Sequence, residues 1–218
     1  MMTLLTSNLG LFLTPLLGVV IYRFGPHVHK HEYRYFFVAT LLSFAIVSYF
    51  YLATFLGWST YLPIIHEVFY MGHASFAMYS LVMFTGAFRH KSRLKIALSK
   101  VRRELSIMGF ILLLPHVFFQ LDLALSGFNQ TGFLAFLLMV PLFITSFPQV
   151  RRKMHPLSWR KLHRLSYAVY AMLFLHLTFD VYTSPWLITF SRYAPLYLLF
   201  FAIYLVLKVN NRSKKQRA

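Results

Sequence analysis

Lysine and arginine number 22 in this 218-residue chain, and all of them except Arg192 fall in four short groups, at 23–34, 89–103, 151–164 and 208–217. Between and around these groups run apolar stretches that can be drawn as seven spans, roughly 8–22, 35–56, 65–88, 104–126, 131–149, 159–182 and 187–208. A helix needs about 20 such residues to cross the hydrocarbon core of a bilayer. Seven crossings bring all four basic groups to one face, and short cytoplasmic loops are the ones enriched in Lys and Arg. The pattern predicts an all-α, polytopic transmembrane helix bundle of about seven spans. Its N-terminus lies outside, its C-terminus is cytoplasmic, and its place is the cell (cytoplasmic) membrane as a multi-pass protein.

Composition narrows the chemistry. With 58% hydrophobic and only 12% charged residues, the chain is unlike a soluble domain. The net charge of +17 would suit nucleic acid, but its confinement to loops between apolar spans makes it a topology signal instead. The absence of cysteine excludes disulfides, thiolate metal sites, iron–sulfur clusters and covalently attached c-type haem. The first span lacks the basic start of a signal peptide and is followed by Arg23, so it reads as a true span. No segment is long enough for a nicotinamide- or flavin-binding domain, so any such donor is expected on a partner. The tail at 210–218 is a basic cytoplasmic stub with weak attraction for anionic lipid.

Ten histidines are the remaining supply of ligands. His27, His29 and His31 alternate in the basic segment 23–34, where a solvated turn is the plain reading and metal binding the sharper one. His90 and His155 sit at basic interfaces and read the same way. His116 follows Pro115, about 18 Å of helix from the cytoplasmic end of the fourth span, and His176 is at similar depth on the sixth. Ionisable groups inside a membrane are costly and point to function. Two imidazoles at matched depth suit the two axial positions of a haem iron. The competing reading of each is a hydrogen-bonded packing residue.

His163 lies thirteen residues before His176 among basic residues, about 140° away around an ideal helix, so periodicity alone does not make it a ligand. His73, inside the third span with His66 seven residues before it, suits a haem propionate, an alternative ligand or a helix-packing contact. Arg192 suits a propionate, or an ion pair with Asp180 or Asp122.

The segments RRELSIMGFILLLPH (102–116) and RKLHRLSYAVYAMLFLH (160–176) resemble the third and fifth helices of the ferric reductase-like transmembrane domain family. Within that family the nearest likeness is to haem-binding membrane subunits of bacterial methionine sulfoxide reductase systems. Gly72 and the TGAF at 85–88 resemble its second helix, and the likeness covers roughly 40–208. It implies a six-helix haem-binding domain at 35–209, preceded by an additional helix and basic loop at 1–34. It also implies b-type haem, with His116 and His176, and in some arrangements His163, as iron ligands. Members with two haems carry two histidines on each helix, whereas Arg102 stands at the inner position here, so one haem is expected and a complete second site is in doubt.

The implied activity is relay of electrons to an extracytoplasmic redox protein or ferric iron. The donor would be a cytoplasmic flavin reductase, carrying FMN, or a membrane quinol. The alternative is a haem-free transporter or channel that uses the histidines as a proton or metal path, with helices broken at Pro115, Pro141 and Pro195. A scaffold tied by histidine contacts is the third.

Overall fold

In hydrocarbon a backbone amide has no water to bond, and the helix satisfies it within one segment. The computed structural model describes residues 8–58, 61–89, 92–180, 189–191 and 194–216. Its elements are helical apart from one short ribbon. The first two are α1 (Leu9–Lys30) and α2 (Glu32–Phe55). Next, α3 (Pro63–Ile65) runs into a π-helical turn, His66–Tyr70, ahead of α4 (His73–Thr85) and α5 (Arg93–Lys100). Then come α6 (Arg102–Leu125), α7 (Gln130–Ile144), α8 (Pro148–Arg151), α9 (Pro156–His163) and α10 (Leu165–Thr178). Phe179–Asp180 pairs antiparallel with Thr189–Phe190, and α11 (Ala194–Gln216) follows.

Among the described residues four helices are long and apolar enough to cross a membrane: α1, α2, α6 and the Ala194–Asn211 part of α11. Their outer surfaces agree with this. On α2 alone Phe37, Phe44 and Phe55 are 63, 71 and 84% exposed, a display that suits lipid and would drive association in water. This is a membrane protein.

Three expectations need correction. The basic loop drawn at 23–34 is mostly helix, because α1 runs on to Lys30 and only His31 (φ −117°, ψ 33°) separates it from α2. Hydropathy marks where a helix leaves the apolar layer and says nothing of where its hydrogen bonds stop. The third span is not one helix, since Gly72 (φ 77°) turns the chain between the π-helical turn and α4. The sixth is interrupted at Arg164, where bonding shortens to Tyr167 N–H on Arg164 O, so His163 and His176 lie on separate helices. The proline breaks expected of a transporter are absent: Pro115 and Pro141 lie inside continuous α6 and α7, and Pro195 is in the first turn of α11.

The described chain forms two compact units, residues 1–119 with 211–218, and residues 120–210. In the first, α1 packs on α4 and α5. From Ile107 to Leu112 α6 is buried, as are Glu104 and Leu105 before it, with Leu105 and Ile107 at 0% exposure. Gly109 admits α4 closely, since a Cβ there would stand 3.2 Å from Met78 Cβ. The hydroxyl of Ser75 donates to Gly109 O at 2.8 Å. In the second unit α7 packs along α10.

Pro115 has no N–H to give Ile111 O, its partner one turn earlier. Ser43 on α2 takes the place of that donor, its Oγ standing 2.6 Å from Ile111 O. Most other hydroxyls in the apolar helices bond back within their own helix, as Thr40 does to Phe36 O at 2.9 Å. Ser43→Ala should therefore destabilise the protein in detergent by about 1–3 kcal/mol, the cost of a buried polar group left unsatisfied. Thr40→Ala should change little. Equal losses in thermal or denaturant unfolding of the two variants would refute the donor-replacement role.

Candidate functional site

The break in the third span has a local consequence. The π-helical turn closes with Met71 N–H on His66 O at 3.0 Å, and Gly72 then turns out of the helical path. The carbonyl of Tyr70 is thereby directed at α6, where it lies 2.7 Å from His116 Nδ1. A carbonyl only accepts, so His116 carries its proton on Nδ1 and, when neutral, its lone pair on Nε2. Gly72 also makes room, because a Cβ there would meet His116 Cγ at 3.2 Å.

His176 is mounted in the same way within the second unit. Its Nδ1 lies 2.5 Å from the side-chain oxygen of Asn129, which fixes the same tautomer. Asn129 sits at the start of α7 with φ 54°, a left-handed conformation that asparagine tolerates better than most residues. One turn on, Gly132 faces the ring, and a Cβ there would stand 2.9 Å from His176 Nδ1. A hydrogen bond from Nδ1–H to an oxygen, holding ring and tautomer, is the usual outer support of a ligating histidine.

The other predicted residues are placed differently. His163 puts Nε2 3.1 Å from Thr145 Oγ1. Its ring packs on Trp159 at 4.2 Å between centroids, and the Trp159 indole N–H donates to Thr145 O at 3.1 Å. Arg151 stands 4.4 Å over that indole, so His163 belongs to a clamp joining α9 to the end of α7. His73 is buried, with Nε2 3.9 Å from Glu67, which also stands 3.6 Å from His66. The His66 ring stacks between Tyr61 and Tyr70. Arg192, His90 and the side chain of Asp180 lie outside the described residues.

The histidines of the basic segment are not merely solvated. His27 Nδ1 is 3.0 Å from Tyr35 Oη and its ring lies 4.6 Å from that of His31. Desolvation, then His27, Arg34 and Lys30, pull His31 below the ordinary imidazole range. His29 Nδ1 is 2.8 Å from Glu104 on α6, a contact the sequence reading did not anticipate. Arg102, at the family's inner histidine position, is exposed, while Arg103 pairs with both Glu32 and Glu104. His155 caps α9, its Nδ1 accepting from Leu157 N–H at 3.3 Å.

Sequence reasoning also missed Asn129 and Gly132. The run SGFNQTG, with a glycine two residues before and another three residues after a turn-forming asparagine that tolerates a positive φ, was the available signal. Gly132→Ala should displace the His176 ring and cost about 1–3 kcal/mol through overpacking. Gly18→Ala meets only Leu81 Cδ2 at 3.4 Å. That variant should be neutral, or gain up to about 1 kcal/mol from helix propensity. Unfolding of both variants in detergent checks this, and a Gly132→Ala protein as stable as the parent would refute the close approach.

No family model matches the chain, and no solved structure does. Over 163 residues, 66% of its length, the chain is 30% identical to an uncharacterized protein of Treponema pallidum (strain Nichols). It spans 44% of that relative.

Proposed function

We propose that the chain is a b-type haem membrane protein of the ferric reductase-like transmembrane class. In this reading it has seven crossings, an outer N-terminus and a cytoplasmic C-terminus. His116 and His176 would hold the iron of one haem. The observation that supports this best is their common mounting: each carries its proton on Nδ1 against an oxygen acceptor and has a glycine beside its ring. The donor set fits iron in haem, since a neutral imidazole so held offers Nε2 to the metal. When bound, the haem supplies one-electron chemistry.

The chain's own residues have three tasks in this scheme. Tyr70 O and Asn129 orient the ligands and raise their basicity. The apolar helices keep water away. His73 and Arg192 are proposed to bear on the propionates, whereas the contact of His163 with Thr145 favours a clamp over a ligand. Electrons come from a cytoplasmic flavin reductase or a membrane quinol and leave to an extracytoplasmic redox protein or ferric iron. The basic groups on the inner face suit docking of an acidic or phosphate-bearing donor.

A dithionite-reduced minus oxidised spectrum of protein made with ample haem should show a b-type cytochrome with one haem per chain. His116→Ala and His176→Ala should each abolish it. A folded but colourless parent would refute the proposal and turn attention to proton or metal flux in vesicles. In the haem-loaded protein, Asn129→Gly keeps the left-handed backbone but removes the acceptor from His176. It should raise the haem midpoint potential by making the ligand less basic. An unchanged potential would remove Asn129 from this role.

A further inference from the structure

Away from the two mounted histidines, the first unit gathers four charged or ligating side chains where α1 ends and where α2 and α6 begin. Glu104 is 1% exposed, an extreme burial for a carboxylate in a membrane protein. Its Oε1 accepts from Arg103 at 2.7 Å and lies 2.8 Å from His29 Nδ1. Arg103 also pairs with Glu32. The second oxygen of Glu104, Oε2, is buried and has no hydrogen-bond partner among the described residues. Ligand atoms of His29, Glu32 and Glu104 all lie within 4.8 Å of one another.

With His29 neutral, two carboxylates face one guanidinium, and the Oε2 atom of Glu104 is itself out of reach of water. A buried carboxylate oxygen without a donor is costly, and a cation is the group that relieves both deficits at once. The donor set is one imidazole nitrogen and carboxylate oxygens, with no sulfur. That combination suits a borderline divalent transition ion better than copper(I), which prefers sulfur, or calcium and magnesium, which prefer oxygen alone.

From these contacts we infer a binding site for one divalent transition ion, of the Zn2+, Fe2+ or Mn2+ class, formed by His29, Glu32 and Glu104. Bonds of about 2.1 Å in a tetrahedral centre require ligand atoms about 3.4 Å apart. The site therefore closes by small side-chain movements. His29, with 56% of its side chain exposed, is free of the packing that fixes Glu104, and it supplies the entry path. Arg103 stays as the outer partner that holds both carboxylates. Binding exchanges the His29–Glu104 hydrogen bond for two bonds to the metal, and any proton on His29 is released. The ion would join the ends of three helices.

The test uses full-length protein purified in detergent without a polyhistidine tag. Mn2+ is titrated with the free-ion EPR signal as readout, and Zn2+ by calorimetry, with thermal unfolding in parallel. The expected result is saturable binding of one ion per chain and a raised unfolding temperature. Both should be lost in His29→Ala and Glu104→Gln, and kept in His27→Ala and His31→Ala. His29→Ala, at a half-exposed position, serves if Glu104→Gln does not fold. No saturable binding, or binding indifferent to His29→Ala, overturns the proposal and leaves the cluster a proton-balanced ion pair. Because Glu104 precedes His116 by twelve residues on α6, about 18 Å of helix, loss of metal binding with an intact haem spectrum would separate this site from the haem.

Discussion

Every backbone carbonyl inside the apolar layer has to find a donor within the protein, and this structure turns on what happens where the helix cannot provide one. Pro115 removes a donor from α6, and the hydroxyl of Ser43 replaces it from a different helix. Gly72 takes Tyr70 O out of the helical ladder, and His116 replaces the missing amide. The two repairs are chemically alike. One fastens α2 to α6, and the other sets the orientation and tautomer of an imidazole in the membrane. A side chain that completes an interrupted helix is held more firmly than one that merely packs, because its departure exposes a bare carbonyl to hydrocarbon.

The same logic separates the histidines. His116 and His176 are each bonded through Nδ1 to an oxygen, which places the lone pair of the neutral ring on Nε2. His163 is bonded through Nε2 to a hydroxyl and stacked on an indole, the arrangement of a residue that holds helices together. His66, His73 and Glu67 make a polar group around the π-helical turn. That turn is an irregularity of the kind often found where a membrane or soluble helix serves a site.

The helical and membrane-crossing character of the protein was legible in the chain, and the failures have physical causes. Apolar runs and grouped Lys and Arg mark membrane helices because they report transfer energy, and His116 and His176 stood out as costly residues within such runs. Helix ends were not legible, because α1 continues through Arg23 and Lys30 in spite of Pro26, where transfer energy changes sign but hydrogen bonding does not. The break before α4 depends on one glycine with φ 77°, and that at Arg164 on a slight tightening of the turn, neither of which disturbs hydropathy. The contact between His29 and Glu104 joins residues 75 positions apart, so only the packing of α1 and α2 against α6 reveals it. The run around Asn129 marks a turn, but its bond to His176 was not legible for the same reason: a partner 47 positions away leaves no local periodicity.

The two mounted histidines differ in what a change of sequence can reach. The oxygen that holds His176 belongs to an amide side chain, so a single codon change at position 129 can delete it, lengthen it or give it charge. The oxygen that holds His116 belongs to the backbone of Tyr70, and every residue that could replace tyrosine would bring the same carbonyl. One imidazole is thus open to gradual adjustment over generations, while the other can be altered only by remodelling the turn that presents its partner. Drift in the electronic character of the pair should be recorded at position 129, with position 70 left to vary for reasons of packing alone.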